Sequence, residues 1–164
     1  MRAFSLIELL IVIAIIAVLA SLGIPQYRKF IYKSKVTEVK TILPTIMQLQ
    51  EMYIAEKNKY ITCGFYPSRA VGGTKASWED GNCISSNLNF NAKGGTFCQY
   101  AIASGDYSTN PASASPSDSV EVEQTPGVDI TAIAKCDIDG DGKFSFYTLT
   151  DESTDIKGPF NDDF

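Results

Sequence analysis

Residues 6–24 read LIELLIVIAIIAVLASLGI, nineteen positions with a single charge, Glu8, and with Ser21 as the only other strongly polar side chain. As a helix this run covers about 28 Å at 1.5 Å per residue, close to the ~30 Å hydrocarbon core of a bilayer. A helix packed in a soluble core keeps a polar stripe, and this one has none, so it reads as a membrane-inserted helix. A cleaved secretory signal ending near Ala20 is the competing reading, and Glu8 inside the apolar run argues against it.

A carboxylate near the end of a span is costly and needs a partner. No cation lies inside the span. If the chain were cut between Ala3 and Phe4, the new α-amino group would lie four residues before Glu8. In staggered helices the amine of one subunit would then neutralise the Glu8 carboxylate of another in low-dielectric surroundings, giving affinity and axial register together. On this reading the segment is a polymerisation element.

The stretch from Phe4 through Ser5-Leu6-Ile7-Glu8-Leu9-Leu10 to Ala20, followed by Ile24-Pro25-Gln26-Tyr27, resembles the class III signal and assembly helix of type IV pilins and type II secretion pseudopilins. The resemblance covers the first third of the chain. It implies that a prepilin peptidase cuts between Ala3 and Phe4, that Phe4 is N-methylated, that Glu8 directs subunit docking, and that Pro25 permits local helix melting in the filament. The chain departs from the family pattern in having Ala3 rather than Gly before Phe4 and Met1-Arg2 alone ahead of it.

After Pro25 the apolar residues Tyr27, Phe30, Ile31, Val36, Val39, Ile42, Leu43, Ile46, Leu49, Met52 and Tyr53 recur at spacings of three and four, which predicts an amphipathic helix. A helix from Ser5 to about Glu56 would measure about 75–80 Å. Pro44 is expected to bend it, because it removes a donor and clashes with the preceding turn. Residues 58–94 mix Gly, Asn, Ser and isolated aromatics without sustained periodicity and read as a connecting loop region. Residues 103–119, rich in Ser, Pro and Ala, read as an exposed loop whose hydroxyls are open to O-linked sugars. Strands are predicted at 96–103, 120–124, 128–136 and 143–150.

The fold expected is α+β and pilin-like: a long N-terminal helix, hydrophobic then amphipathic, packed on a C-terminal antiparallel sheet. Its parts are a leader at 1–3, a transmembrane or filament-core helix at 4–25, an amphipathic helix at 26–57, the loop region at 58–94, and the sheet with an acidic end at 95–164.

Cys63, Cys83, Cys98 and Cys136 form an even set with neither a CxxC pair nor a His beside them, which disfavours zinc and suggests two disulfides in an oxidising compartment. Three connectivities exist. Cys63–Cys83, closing the loop region, with Cys98–Cys136, joining adjacent strands, is the favoured one, and buried free thiols are the other reading. Asp137, Asp139 and Asp141 alternate around Gly140 and Gly142, a spacing that can aim several oxygens at a hard cation such as Ca²⁺. Thr148 stands where an EF-hand loop has its bidentate Glu, and an Asp-Gly hairpin tip explains the same residues without metal.

The 164 residues are 45% hydrophobic and carry a formal charge of −5, which gives no general electrostatic footprint for nucleic acid. The charge is divided. Residues 1–57 hold seven bases against four acids, and residues 58–164 seven against fifteen. Arg28, Lys29, Lys33 and Lys35 form a local basic cluster, read as a solvated or inter-subunit face, with anionic lipid or DNA as weaker alternatives. By the positive-inside rule this cluster would hold the following domain in the cytoplasm, and the cysteines argue the reverse. The absence of His excludes His-dependent triads and most catalytic zinc sites, so the chain is read as a structural protein rather than an enzyme.

Together these features point to a filament subunit that partners itself, a prepilin peptidase and an inner-membrane assembly machinery. Its expected course runs from the bacterial inner membrane to an extracellular pilus. The alternatives are a major pseudopilin of a type II secretion system and a membrane-anchored extracytoplasmic calcium-binding module.

Overall fold

The computed structural model describes residues 5–69, 72–123 and 129–161. The chain divides into two compact units between Ser34 and Lys35. The first is helical from Leu6 to its end at Ser34. Helix α1, Leu6–Val36, begins there, and its residues 6–19 are all exposed, Leu6 at 87% and Leu19 at 64%. It is the one helical stretch among the described residues long and apolar enough to cross a membrane.

In the second unit, α2 (Val39–Lys57) follows after an interruption at Thr37 and Glu38. The backbone there tightens to i→i−3 bonds, with Lys40 donating to the Thr37 carbonyl at 3.2 Å and Thr41 to that of Glu38 at 3.0 Å. The interruption precedes Pro44 by several residues, and α2 runs through Pro44 without ending. Val39, Leu43, Ile46, Met47 and Gln50 form the buried stripe of α2. The expected stripe was wider. Tyr27, Phe30 and Met52 are exposed, while Met47 and Gln50 take inward positions.

A six-stranded antiparallel sheet lies against α2 in the order β3-β1-β2-β4-β5-β6. The strands are β1 Lys59–Tyr66, β2 Cys98–Ser104, β3 Val120–Glu123, β4 Ile130–Cys136, β5 Ser145–Thr150 and β6 Lys157–Phe160. Four of them fall within or near predicted strands; residues 124 and 128 of those predictions lie outside the described residues. Strand β1 and the short helix α3 (Cys83–Leu88) occupy the stretch read as a connecting loop, and β6 was not anticipated. The aromatic residues of β1 bury Tyr60 and half-bury Phe65 and Tyr66, so its alternation is not polar against apolar. The outer edge strands carry Glu121 and Glu123 on β3 and Pro159 on β6, charges and a missing donor that oppose further pairing.

The sheet buries both faces. Toward α2 lie Tyr100, Ile102, Ala132 and Ala134, all fully buried. On the opposite face Ala103, Ile133 and Phe146 make a second cluster, with Phe65, Tyr107, Ala114, Phe144 and Phe160 packed on it. The segment read as an exposed loop at 103–119 therefore covers apolar surface: Ser108 and Pro111 are buried, and the 3₁₀ turn Pro111–Ser113 contacts β5.

One polar side chain sits inside the α2 interface. Gln50, 1% exposed, donates through Nε2 to the Ile61 carbonyl and accepts the Ile61 N–H at Oε1 (3.2 Å), supplying β1 with the partner that a neighbouring peptide would give. Replacing Gln50 by Ala orphans both groups and opens a void, so Gln50→Ala should lower unfolding free energy by about 2–4 kcal/mol. Denaturant unfolding of the two proteins measures it, and a loss below ~0.5 kcal/mol would remove this account of the interface.

Candidate functional site

The amino-terminal site is built on the first turn of α1. Glu8 reaches back three residues, and its carboxylate accepts the Ser5 N–H at 2.9 Å. A negative side chain in the first turn also complements the helix dipole. Pro25 lies inside α1 without interrupting it. Ala3 and Phe4 lie outside the described residues.

A second site, which the sequence did not disclose, pins the helix junction to the sheet. Glu38 directs one oxygen, Oε1, at three donors: the N–H groups of Phe97 (2.6 Å) and Cys98 (3.1 Å) and the Tyr100 hydroxyl (3.2 Å). One turn earlier, Lys35 donates to the carbonyls of Gly73 (2.7 Å) and Ile138 (3.3 Å), and its ammonium lies 5.1 Å from the Phe97 ring centroid. The basic cluster at 28–35 is thus not uniform. Arg28, Lys29 and Lys33 are exposed, and Lys35 is turned into the protein's own backbone. No spacing rule marks Glu38, a single acid among lysines whose partners lie 59–62 residues away.

Asp137, Asp139 and Asp141 each bring a carboxylate oxygen within 4.8 Å of the others. Their positions follow from the turn itself. Asp137, 6% exposed, accepts the N–H groups of Gly140 (2.8 Å) and Gly142 (3.2 Å), and its carbonyl accepts the Gly73 N–H at 2.8 Å. Gly140 and Gly142 have φ of +85° and +87°, the left-handed region in which glycine carries no Cβ penalty. Asp139 accepts the Asp141 N–H (3.3 Å), and Asp141 accepts that of Lys143 (2.9 Å) and pairs with its ammonium (3.1 Å). Backbone donors and the Lys143 ammonium thus contact all three carboxylates.

Two disulfides complete the head. Cys63 joins Cys83, fastening α3 to β1, and Cys98 joins Cys136, which stand opposite one another in the β2–β4 register. The described residues contain no free cysteine.

A long helical segment over 6–57, apolar in its first half and packed in its second on an antiparallel sheet, is a pilin-like α+β architecture. The prokaryotic N-terminal methylation motif matches residues 1–24. Over 87 residues, half of this chain, it is 40% identical to the type IV major pilin protein PilA of Myxococcus xanthus, covering 40% of that protein. It is 31% identical over 103 residues to the type IV major fimbrial protein FimA of Dichelobacter nodosus, covering 62% of each chain. A fimbrial protein of Pseudomonas aeruginosa is 33% identical over 84 residues, 49% of this chain and 54% of that one. The chain thus carries the class III N-methylation signal, and its homologues are type IV pilins and fimbrial proteins, of which it spans about 40–62% of the length. No solved structure matches it.

Burial pushes the Glu38 carboxyl above its usual range, against the opposing pull of the Phe97 and Cys98 N–H groups, the Tyr100 hydroxyl and the Lys75 charge. Between the ordinary value of 4.5 and the raised one, the folded protein binds more protons here than the unfolded chain, so this group's contribution to stability falls as pH rises through that window. Glu38→Gln keeps an acceptor oxygen but cannot titrate. The unfolding free energy of the unaltered protein should therefore decline relative to Glu38→Gln as pH rises from 4.5, and a pH-independent difference between the two would refute the assignment. Asp137→Ala, which removes the acceptor for two turn N–H groups, should cost about 1–3 kcal/mol by denaturant unfolding. Repeating the measurement with calcium and with chelator reports whether the same turn also holds a cation.

Proposed function

We propose that this chain is the structural subunit of a type IV pilus-like filament, inserted by α1 in the bacterial inner membrane before assembly and held by that helix in the filament core afterwards. The observation that carries this reading is the apolar surface of residues 6–19, exposed along its whole length in the single chain. Such a surface requires lipid or other copies of the same helix to cover it. The methylation motif over residues 1–24 and the pilin relatives favour both in succession.

In this reading a prepilin peptidase cuts between Ala3 and Phe4, and the amine of Phe4 from one subunit pairs with Glu8 of its neighbour. The Glu8 carboxylate, which caps its own helix in the single chain, then exchanges the Ser5 N–H for a full charge. Pro25 brings no N–H to the ladder of the otherwise continuous α1, and on this reading it is the point at which that helix yields on packing. The role is structural, with no chemical step.

Glu8→Ala should reduce sheared surface filaments at least tenfold while membrane insertion and thermal unfolding of the head stay unchanged, and filaments of the unaltered chain should have the intact mass of a methylated protein beginning at Phe4. A membrane-anchored module that never polymerises would be indifferent to Glu8→Ala, so normal filament yield from that variant would sink the pairing.

A further inference from the structure

The two compact units carry opposite charge. Residues 1–34 hold four bases and one acid, and residues 35–164 hold ten bases and eighteen acids. In the second unit a groove of about 230 Å³ runs between α2 and the segment that follows β5. Pro44, Met47 and Leu149 give it apolar lining, and Glu51 and Asp151 add two carboxylates. Asp151 is held in place, accepting the Tyr60 hydroxyl (3.2 Å) and the Ile130 N–H (3.2 Å). Both acids act on one point: after burial, the Asp151 charge and hydrogen bond and then the Glu51 charge raise the Tyr60 hydroxyl. Among the described residues Glu51 pairs with no cation.

Apolar walls with carboxylates suit a long side chain that buries a methylene stem and presents a cationic head. Two acceptors favour a guanidinium fork over an ammonium. Arg28 is exposed on the oppositely charged unit, next to Lys29. We propose that the groove between α2 and the segment after β5 receives Arg28 from a second copy of the chain. The two surfaces differ, so the contact is heterologous and propagates from copy to copy instead of closing a dimer. The inference rests on the filament reading above and names a contact between heads and helices within it.

Chains carrying Lys29→Cys and chains carrying Gln48→Cys leave Arg28, Glu51 and Asp151 intact, and Gln48 lines the groove. Co-assembled and treated with a short bis-maleimide, they should give crosslinked dimers that neither chain gives alone. No dimer from the mixture, or equal dimer from either chain alone, overturns the proposal. In parallel, Glu51→Arg and Arg28→Glu should each lower filament yield at least tenfold, and the double exchange should restore it to within twofold. Unchanged yield in the single variants, or no recovery in the double, also overturns it. Absence of filaments from the unaltered chain would instead defeat the functional reading, so the two failures are told apart.

Discussion

Everything in the head is arranged around the burial of one narrow stripe of α2 against the sheet. Val39, Leu43 and Ile46 are fully buried and face strands whose inner residues, Tyr100, Ile102, Ala132 and Ala134, are equally so. Small residues on β4 let the helix approach closely, and large ones on β2 fill the space beside it. Because the stripe occupies only part of the helix circumference, the remaining faces of α2 stay open to solvent or to neighbours. Gln50 shows how tightly the arrangement is specified: a polar group is tolerated in the middle of the interface because it completes the hydrogen bonding of β1.

The sheet is a divider as much as a support. One face takes α2, and the other takes the aromatic residues covered by the segment around Tyr107 and Pro111. A head of this size with two apolar layers needs covalent help less for lack of a core than for long connections, and both disulfides act on connections: one holds α3 on β1, the other closes β2 on β4. Among its described residues the first unit buries no side chain of its own. Its apolar surface over residues 6–19 is uncovered within the chain, and lipid or other copies complete it.

The parts legible in the sequence were those with a period. The apolar run at 6–24, the three-and-four spacing around Val39, Leu43 and Ile46, and the alternation in β4 each carry a local signal; burial within the chain realises the second, the first stays exposed over residues 6–19, and β4 is buried on both faces. Strand β1 escaped because KYITCGFY interleaves Gly, Cys and aromatics and because its partners, β2 and β3, lie far along the chain. The 103–119 segment escaped for the opposite reason. Its composition is that of a solvated loop, and only the apolar face beneath it requires Pro111 and Tyr107 to pack down. Lys35 and Glu38 were invisible as a pair of anchors, since nothing in a row of lysines and acids tells which heads find backbone partners 38 to 103 residues away.

Those two anchors land close together. Glu38 grips the amides of Phe97 and Cys98, and Lys35 grips the carbonyl of Ile138, two residues past Cys136. Cys98 and Cys136 are bonded to each other. The helix junction is therefore fastened on both sides of a covalent tie between the two central strands, so that a load reaching it falls on strands that cannot part at that point without breaking a bond. The junction is built as a mooring point, with its cleat on the stapled strands.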